Sequence, residues 1–259
     1  MSVIWDTQDG IAILTIERQD ALNALNFNLI NDISQKLDEI SSTNVRGLII
    51  TGAGDKAFCA GADIPELMGR DMMAQRRGAE LGQRTFAQIA ALNIPSVALI
   101  NGYAFGGGLE IALACTFRLA VPTAKMGLPE IKLGLTPGYG GTQRLPRLIG
   151  EGRALDMVLT GRTVEAEEAL AIGLVNRIVA TGDGAEPMAE AKAFLGQVTR
   201  YGLPAIGFAK DAVTRALDLP IDEGLKVEAD LSTLAFQTED AAEGLAAFVE
   251  KRKPVFKDR

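Results

Sequence analysis

Apolar positions change their period along this chain, and the changes mark out strands and helices. Ile11–Ile16 (IAILTI) is a short β-branched run and predicts a strand. Leu25, Leu29, Ile33, Leu37 and Ile40 recur at helical spacing and predict a helix over Leu25–Ile40. Val45–Thr51 (VRGLIIT) predicts a buried strand, and residues 52–63 (GAGDKAFCAGAD) a loop. Glu66–Leu92 predicts a mostly helical stretch interrupted at Gly69, Gly78 and Gly82, with Pro95 ending the segment. Ser96–Ile100 (SVALI) predicts a strand, followed by three glycines, Gly106–Gly108, and a helical apolar run to about Cys115. Phe117–Val121 predicts another strand, and Pro129–Pro146 a long turn-rich segment. Glu151–Leu159 and Val164–Ala171 predict helices, and Gly173–Val179 a strand. From about Ala185 the chain is mainly helical, with apolar spacing through Ala205–Leu217 and Asp222–Phe236. Strands alternating with helices imply an α/β core, with the helical C-terminal third as an appendage or an oligomer surface.

Composition narrows the function. With 259 residues, 47% hydrophobic and 23% charged, the chain is long enough for a large soluble core. A net charge of −7 argues against broad nucleic-acid or membrane-surface binding. No apolar run is long enough to span a membrane, and the start lacks the features of a secretory signal. Two cysteines, Cys59 and Cys115, are too few for a disulfide framework; both read as small buried apolar residues, and a cytoplasmic protein is expected. The last ten residues, EKRKPVFKDR, gather five Lys/Arg, which reads plainly as a solvated tail and leaves room for an anionic ligand.

Histidine is absent. That removes a histidine base, any Ser–His or Cys–His pair, and the usual zinc sites, so no metal is expected. Proton transfer falls to Glu, Asp, Lys, Tyr or Cys.

Two glutamates stand out. Glu110 follows the glycine triplet in the first turn of a helix with apolar neighbours on every side. The helix dipole explains a glutamate there, but a buried carboxylate also needs a partner and has a tunable pKa. Glu130, after Pro129, is likewise flanked by apolar residues; pairing with Lys132 or another base is its plain alternative. Together they suit a general acid/base couple without histidine. A strand, then glycines, then a helix presents backbone N–H groups to a ligand, though a tight turn packed by glycine explains the triplet equally well. The spacing fits neither a dinucleotide nor a nucleoside-triphosphate loop. A glycosidase also uses two carboxylates, but the aromatic fraction is only 5% where sugar sites carry several aromatics.

These segments resemble the crotonase, or enoyl-CoA hydratase/isomerase, superfamily, and within it the enoyl-CoA hydratases most. The likeness runs through AFCAGADI (57–64), NGYAFGGGLEIALACTFRLA (101–120), MGLPEIKLGLTPGYGGTQRLPRLIG (126–150), VLTGRTVEAEEALAIGLVNRIV (158–179) and EGLAAFVEKRKPVFKDR (243–259). It implies an α/β fold: a spiral of ββα units over residues 1–195 carrying the CoA and acyl site. A helical region at 196–259 would then serve oligomerisation and CoA cover, in a homotrimer or a hexamer of two trimers.

The resemblance implies an enzyme, a carbon–oxygen lyase acting on an acyl-CoA thioester, with coenzyme A as part of the substrate and no separate cofactor. Ala62 and Gly107 would form the oxyanion hole, and Glu110 and Glu130 would add water across the 2,3 double bond of a 2-enoyl-CoA. Ala60, Asp63, Ile64 and Pro65 match the backbone strip at the adenine end of CoA, and Gly138 a loop bordering the water site. Lys251, with Phe248 beside it, matches a position that reaches the CoA phosphates from a neighbouring subunit. Asp20 stands where relatives often carry lysine, so a phosphate contact there is in doubt, with Arg18 as a substitute. The stretch Gly69–Gly82, with Met68, Met72, Met73, Arg76 and Arg77, maps near the acyl pocket. An enoyl-CoA isomerase, or a hydratase for methylglutaconyl-CoA or an aromatic acyl-CoA, is the in-class alternative. A non-catalytic acyl-CoA- or RNA-binding relative is the alternative from another class.

Overall fold

The most apolar runs of the sequence become the centre of a six-stranded sheet. A computed structural model of the chain describes residues 2–182 and 184–259; Met1 and Asp183 lie outside them. The chain forms two compact units, one of residues 1–92 and 96–193, the other of residues 93–95 and 194–259.

In the first unit, β1 (Ser2–Gln8) and β2 (Ile11–Glu17) form a hairpin, followed by α1 (Phe27–Ser41) and β3 (Gly47–Gly52). Next come β4 (Ala57–Cys59), the single turn α2 (Ile64–Leu67), α3 (Met72–Ala91), β5 (Ser96–Ile100), β6 (Tyr103–Phe105) and α4 (Gly107–Ala114). Then follow β7 (Phe117–Ala120), β8 (Lys125–Gly127), a 3-10 turn at Pro129–Leu133, α5 (Gly141–Ile149), α6 (Glu151–Thr160), β9 (Val164–Glu165), α7 (Ala166–Ala171) and β10 (Arg177–Ile178).

The larger sheet runs β1-β2-β3-β5-β7-β10, and the smaller runs β4-β6-β8-β9. From β3 to α5 each turn of chain lays one strand in the larger sheet, one in the smaller and then a helix, as in the spiral of ββα units expected from the sequence; in the first unit of the spiral β1 and β2 both join the larger sheet. The larger sheet is parallel beyond the β1–β2 hairpin, and β3 and β5 are buried along their whole length, as parallel strands covered on both faces must be.

The departures from the sequence reading have local causes. Helix α1 starts two residues late because Asn26 caps it, its side chain accepting the Leu29 N–H at 2.8 Å, while Leu25 bridges to Ala62 instead. The expected helix at Glu66–Leu92 breaks at Gly69, which takes φ +69°, and restarts at α3 with Asp71 as its cap. Gly78 and Gly82 do not break α3; both face inward, against the rings of Phe27 and Tyr139. The turn-rich segment at Pro129–Pro146 contains the start of α5, and the expected helix at Val164–Ala171 begins as β9. Of the expected strand Gly173–Val179 only Arg177–Ile178 pairs, since Leu174 and Val175 donate back to the Ala169 carbonyl.

Helix α8 (Pro187–Thr199) carries the boundary between the units, and the second unit holds α9 (Leu203–Arg215), α10 (Ile221–Ala235) and α11 (Glu239–Val249). No helix among the described residues is long and apolar enough to cross a membrane.

Candidate active site

A cavity of about 710 Å³ opens between α3, α4, the 3-10 turn and the loop that precedes α5. Both singled-out glutamates line it.

Helix α4 places the first. Gly108 lies against the carbonyl of Cys59 so closely that a β-carbon there would overlap it, which lets α4 dock on β4 backbone to backbone. Every residue of α4 is buried, and Glu110 is 1% exposed. Its Oε1 accepts the N–H of Tyr139 at 2.8 Å and that of Gly141 at 2.7 Å. Burial pushes its pKa up, as does the charge of Glu130; the two N–H groups and the Arg144 cation pull it down, and the balance stands at about 7.

Glu130 enters from the 3-10 turn, which Pro129 starts and Gly134 closes at φ +71°. Its Oε2 is buried without a hydrogen-bond partner, and burial raises its pKa. No ion pair with Lys132 forms among the described residues, so the structure does not take the plain alternative. Gly106, at φ +50° and ψ −125°, runs beside it; a β-carbon there would sit 2.9 Å from Glu130 Oε1.

The two residues expected to offer backbone N–H groups lie beside the same space. Gly107 is the first residue of α4, where an N–H has no partner within the helix. Leu25 donates to the Gly61 carbonyl at 2.7 Å and accepts from the Asp63 N–H at 2.7 Å. N–H directions alternate along extended chain, so Ala62 between them turns its N–H to the other side. Ala62 and Gly107 both line the cavity.

Of the remaining expected residues, Ala60, Ile64 and Gly138 line the cavity. The Asp63 side chain instead pairs with Arg18 Nη2 at 2.6 Å, and Arg18 Nη1 donates to the Ala24 carbonyl. Arg18 is therefore held against this loop by Asp63 and the Ala24 carbonyl. Pro65 is exposed in the first turn of α2. Phe248 and Lys251 belong to the second unit, Phe248 exposed on α11 and Lys251 just beyond it at φ +57°.

The sequence did not single out what holds Glu110. The holders are backbone N–H groups of the loop at 138–141, which no side chain announces; Gly140–Gly141 opening a helix was the available signal. The Tyr139 ring is buried, edge-on to Phe86 at 5.6 Å, and burial raises its hydroxyl to about 12. Cys59 and Cys115 are buried free thiols, both pushed up to about 12 by burial.

Comparison with known proteins agrees with this geometry. The family model described as enoyl-CoA hydratase/isomerase matches residues 6–259. The chain is 41% identical to a crotonyl-CoA hydratase of Syntrophomonas wolfei, over 98% of this chain and 97% of that one. It is 40% identical to a short-chain-enoyl-CoA hydratase of Clostridium acetobutylicum, over 97% and 96%. The crystal structure of an enoyl-CoA hydratase from Bacillus anthracis superposes with a TM-score of 0.94 at 36% identity, covering all of both chains.

Proposed function

The chain belongs to the enoyl-CoA hydratase/isomerase family, and on that premise we propose that it is a hydratase. It adds water reversibly across the 2,3 double bond of a 2-enoyl-CoA to give the 3-hydroxyacyl-CoA. The observation that carries this reading is that Glu110, Glu130, Ala62 and Gly107 all line one cavity.

The thioester oxygen sits between the N–H groups of Ala62 and Gly107. Donors fixed in advance stabilise the negative charge that develops there as the enolate forms. Addition of water needs one proton on the carboxylate pair. Glu110, as carboxylate, takes a proton from water while the oxygen attacks Cβ; Glu130, as acid, gives its proton to Cα. Burial and mutual repulsion disfavour double ionisation, so the pair keeps one proton towards neutral pH. The two N–H bonds to Glu110 support its anion, whereas Oε2 of Glu130 has no donor, which suits the proton to Glu130 in the productive arrangement. Exchange through water returns the proton after turnover.

Coenzyme A is part of the substrate, and no separate cofactor takes part. The Ala60–Pro65 strip supports the adenine end by its backbone, and Lys251 with Phe248 covers CoA from a neighbouring subunit. That places the chain in a trimer or a pair of trimers, supported by the exposed apolar residues Val213, Ile221, Leu225, Phe236 and Phe248 on or beside α9–α11. Two free thiols suit a reducing cytoplasm.

Crotonyl-CoA and purified protein test the reading. Loss of the conjugated enoyl-thioester absorbance, with 3-hydroxybutyryl-CoA as product, is expected. Turnover of a 3-enoyl-CoA to the conjugated isomer without hydration would replace the reading with an isomerase. Activity confined to branched or aromatic enoyl-CoA substrates would make it a specialised hydratase.

A further inference from the structure

Arg144 of α5 has no part in the chemistry above, yet it sits against the turn that holds Glu110. It is half-buried and forms no ion pair among the described residues. Burial works against its charge, and Glu110 is the carboxylate that most supports it. Its Nη1 donates to the carbonyl of Tyr139 at 3.2 Å. That carbonyl lies between the Tyr139 and Gly141 N–H groups, the two that grip Glu110 Oε1. Gly140 between them takes φ +116°, and a β-carbon there would overlap Arg144 Nη1. The backbone N–H of Arg144 in turn donates to the Gly140 carbonyl at 2.9 Å. Side chain and main chain of one residue thus fix both sides of a turn whose outward N–H groups point at the carboxylate.

We propose that Arg144 is a positioning residue for Glu110: by holding the Tyr139 carbonyl it keeps the two flanking N–H groups aimed at Oε1, and it supplies a cation facing that carboxylate. The groups that act on Glu110 are Glu130 from the 3-10 turn, Tyr139 and Gly141 from the loop, and Arg144 from α5. Arg144 is the one cation among them, so its loss leaves Glu110 facing only the opposing charge of Glu130. The inference rests on the hydratase reading.

Arg144→Met and Arg144→Lys in the full-length chain test it, with kcat and KM for crotonyl-CoA measured across pH. Arg144→Met is expected to lower kcat about 10- to 100-fold with KM changed less than about threefold. It should also move the near-neutral limb of the pH profile to higher pH, because Glu110 ionises less readily without the cation. Arg144→Lys, which keeps the charge and one donor, is expected to recover most of both. An unmoved limb in Arg144→Met overturns the proposal, whether or not kcat falls, since a merely structural role would lower activity without changing that limb. If the wild type hydrates no enoyl-CoA, short-chain, branched or aromatic, the hydratase reading fails separately. The Glu110 carboxyl band, assigned by infrared difference against Glu110→Gln, still reads the Arg144 effect without turnover. An unchanged titration of that band in Arg144→Met overturns it there too.

Discussion

The ring of Tyr139 lies across Gly82 of α3, so close that a β-carbon on Gly82 would come within 2.6 Å of Cγ and 2.7 Å of Cε1. The same residue gives its N–H to Glu110. A helix position thus governs the loop that orients the carboxylate.

Gly82→Ala is expected to displace this ring. Alanine favours the helix by about 1 kcal/mol over glycine. The overlap with a buried ring, however, costs about 1–3 kcal/mol. The opposite edge of the ring lies against Gly107 of α4, where a β-carbon would come within 3.2 Å of Cδ2, and Phe86 packs edge-on to the ring, so the loop must shift. We expect kcat to fall by about tenfold or more, with the thermal midpoint unchanged or lower. Wild-type kcat in Gly82→Ala would show that the ring yields without moving the loop.

The pH profile of kcat/KM should be bell-shaped, because only the singly protonated pair has both an acceptor and a donor. Glu110 titrates at about 7 while it faces the Glu130 charge, so the second proton leaves near neutrality. Activity should therefore fall as pH rises through about 7, and fall again at lower pH where both carboxyls are protonated. Glu110→Gln and Glu130→Gln should each lose at least about 10²-fold in kcat. Near-normal turnover in either would remove the paired-carboxylate mechanism.

Of the elements that sequence pattern marked, β2, β3, β5, α1 and α4 are buried on one face or all round, whereas α9 and α10 carry helical apolar spacing but hold no buried residue. The short strands β4, β6, β8 and β9, two or three residues each, went unmarked because tertiary pairing makes them, not local propensity. β1 was also missed; it is an edge strand, mostly exposed, whose pairing with β2 is set by the turn at Asp9–Gly10. At the site, Glu110 and Glu130 were legible because carboxylates in apolar runs need an explanation. The groups that tune them were not, since two are main-chain N–H groups and the third, Arg144, looks on a helix like any solvated cation.

The proton affinity of Glu110 should appear in folding stability. A carboxyl whose pKa rises from 4.5 to about 7 on folding favours the folded state below the unfolded value. That advantage is lost as pH rises through about 7. The span corresponds to about 3 kcal/mol. Glu110→Gln removes this titration while keeping an acceptor for the two N–H groups. Its thermal midpoint relative to wild type should rise between about pH 5 and about pH 8. A difference that stays constant across that range would mean that Glu110 is not desolvated as described.

Gly106→Ala tests the backbone beside Glu130. The conformation at φ +50°, ψ −125° is strained for a residue with a β-carbon, at about 1–3 kcal/mol. That carbon would meet Glu130 Oε1 at 2.9 Å. Both effects act in the same direction, so stability and kcat should fall together, kcat by about tenfold or more. Thermal unfolding and crotonyl-CoA turnover measured on one preparation check it, and a stable, fully active variant would contradict the geometry.

In the second unit, the basic tail is fastened by two carboxylates of α11 whose surroundings differ. Asp240 is buried; its Oδ1 accepts the Lys257 N–H at 2.6 Å and its Oδ2 the Asp258 N–H at 2.9 Å. Its own N–H donates to the Arg259 carbonyl, and Asp258 Oδ1 accepts the Leu203 N–H at the start of α9. Glu243 is more exposed, binding Arg252 and the Val255 N–H. Hydrogen bonds to a charged group contribute about 1.5–3 kcal/mol each when buried, whereas exposed ion pairs contribute at most about 1 kcal/mol. Asp240→Ala should therefore release the last residues, and Glu243→Gln should loosen them far less. Trypsin reads this directly, since Lys251, Arg252 and Lys257 supply cleavage sites, whereas Lys253 is shielded by Pro254. Cleavage within the tail should accelerate by about tenfold or more in Asp240→Ala. Equal rates in the two variants would mean that the buried carboxylate is not the fastening point.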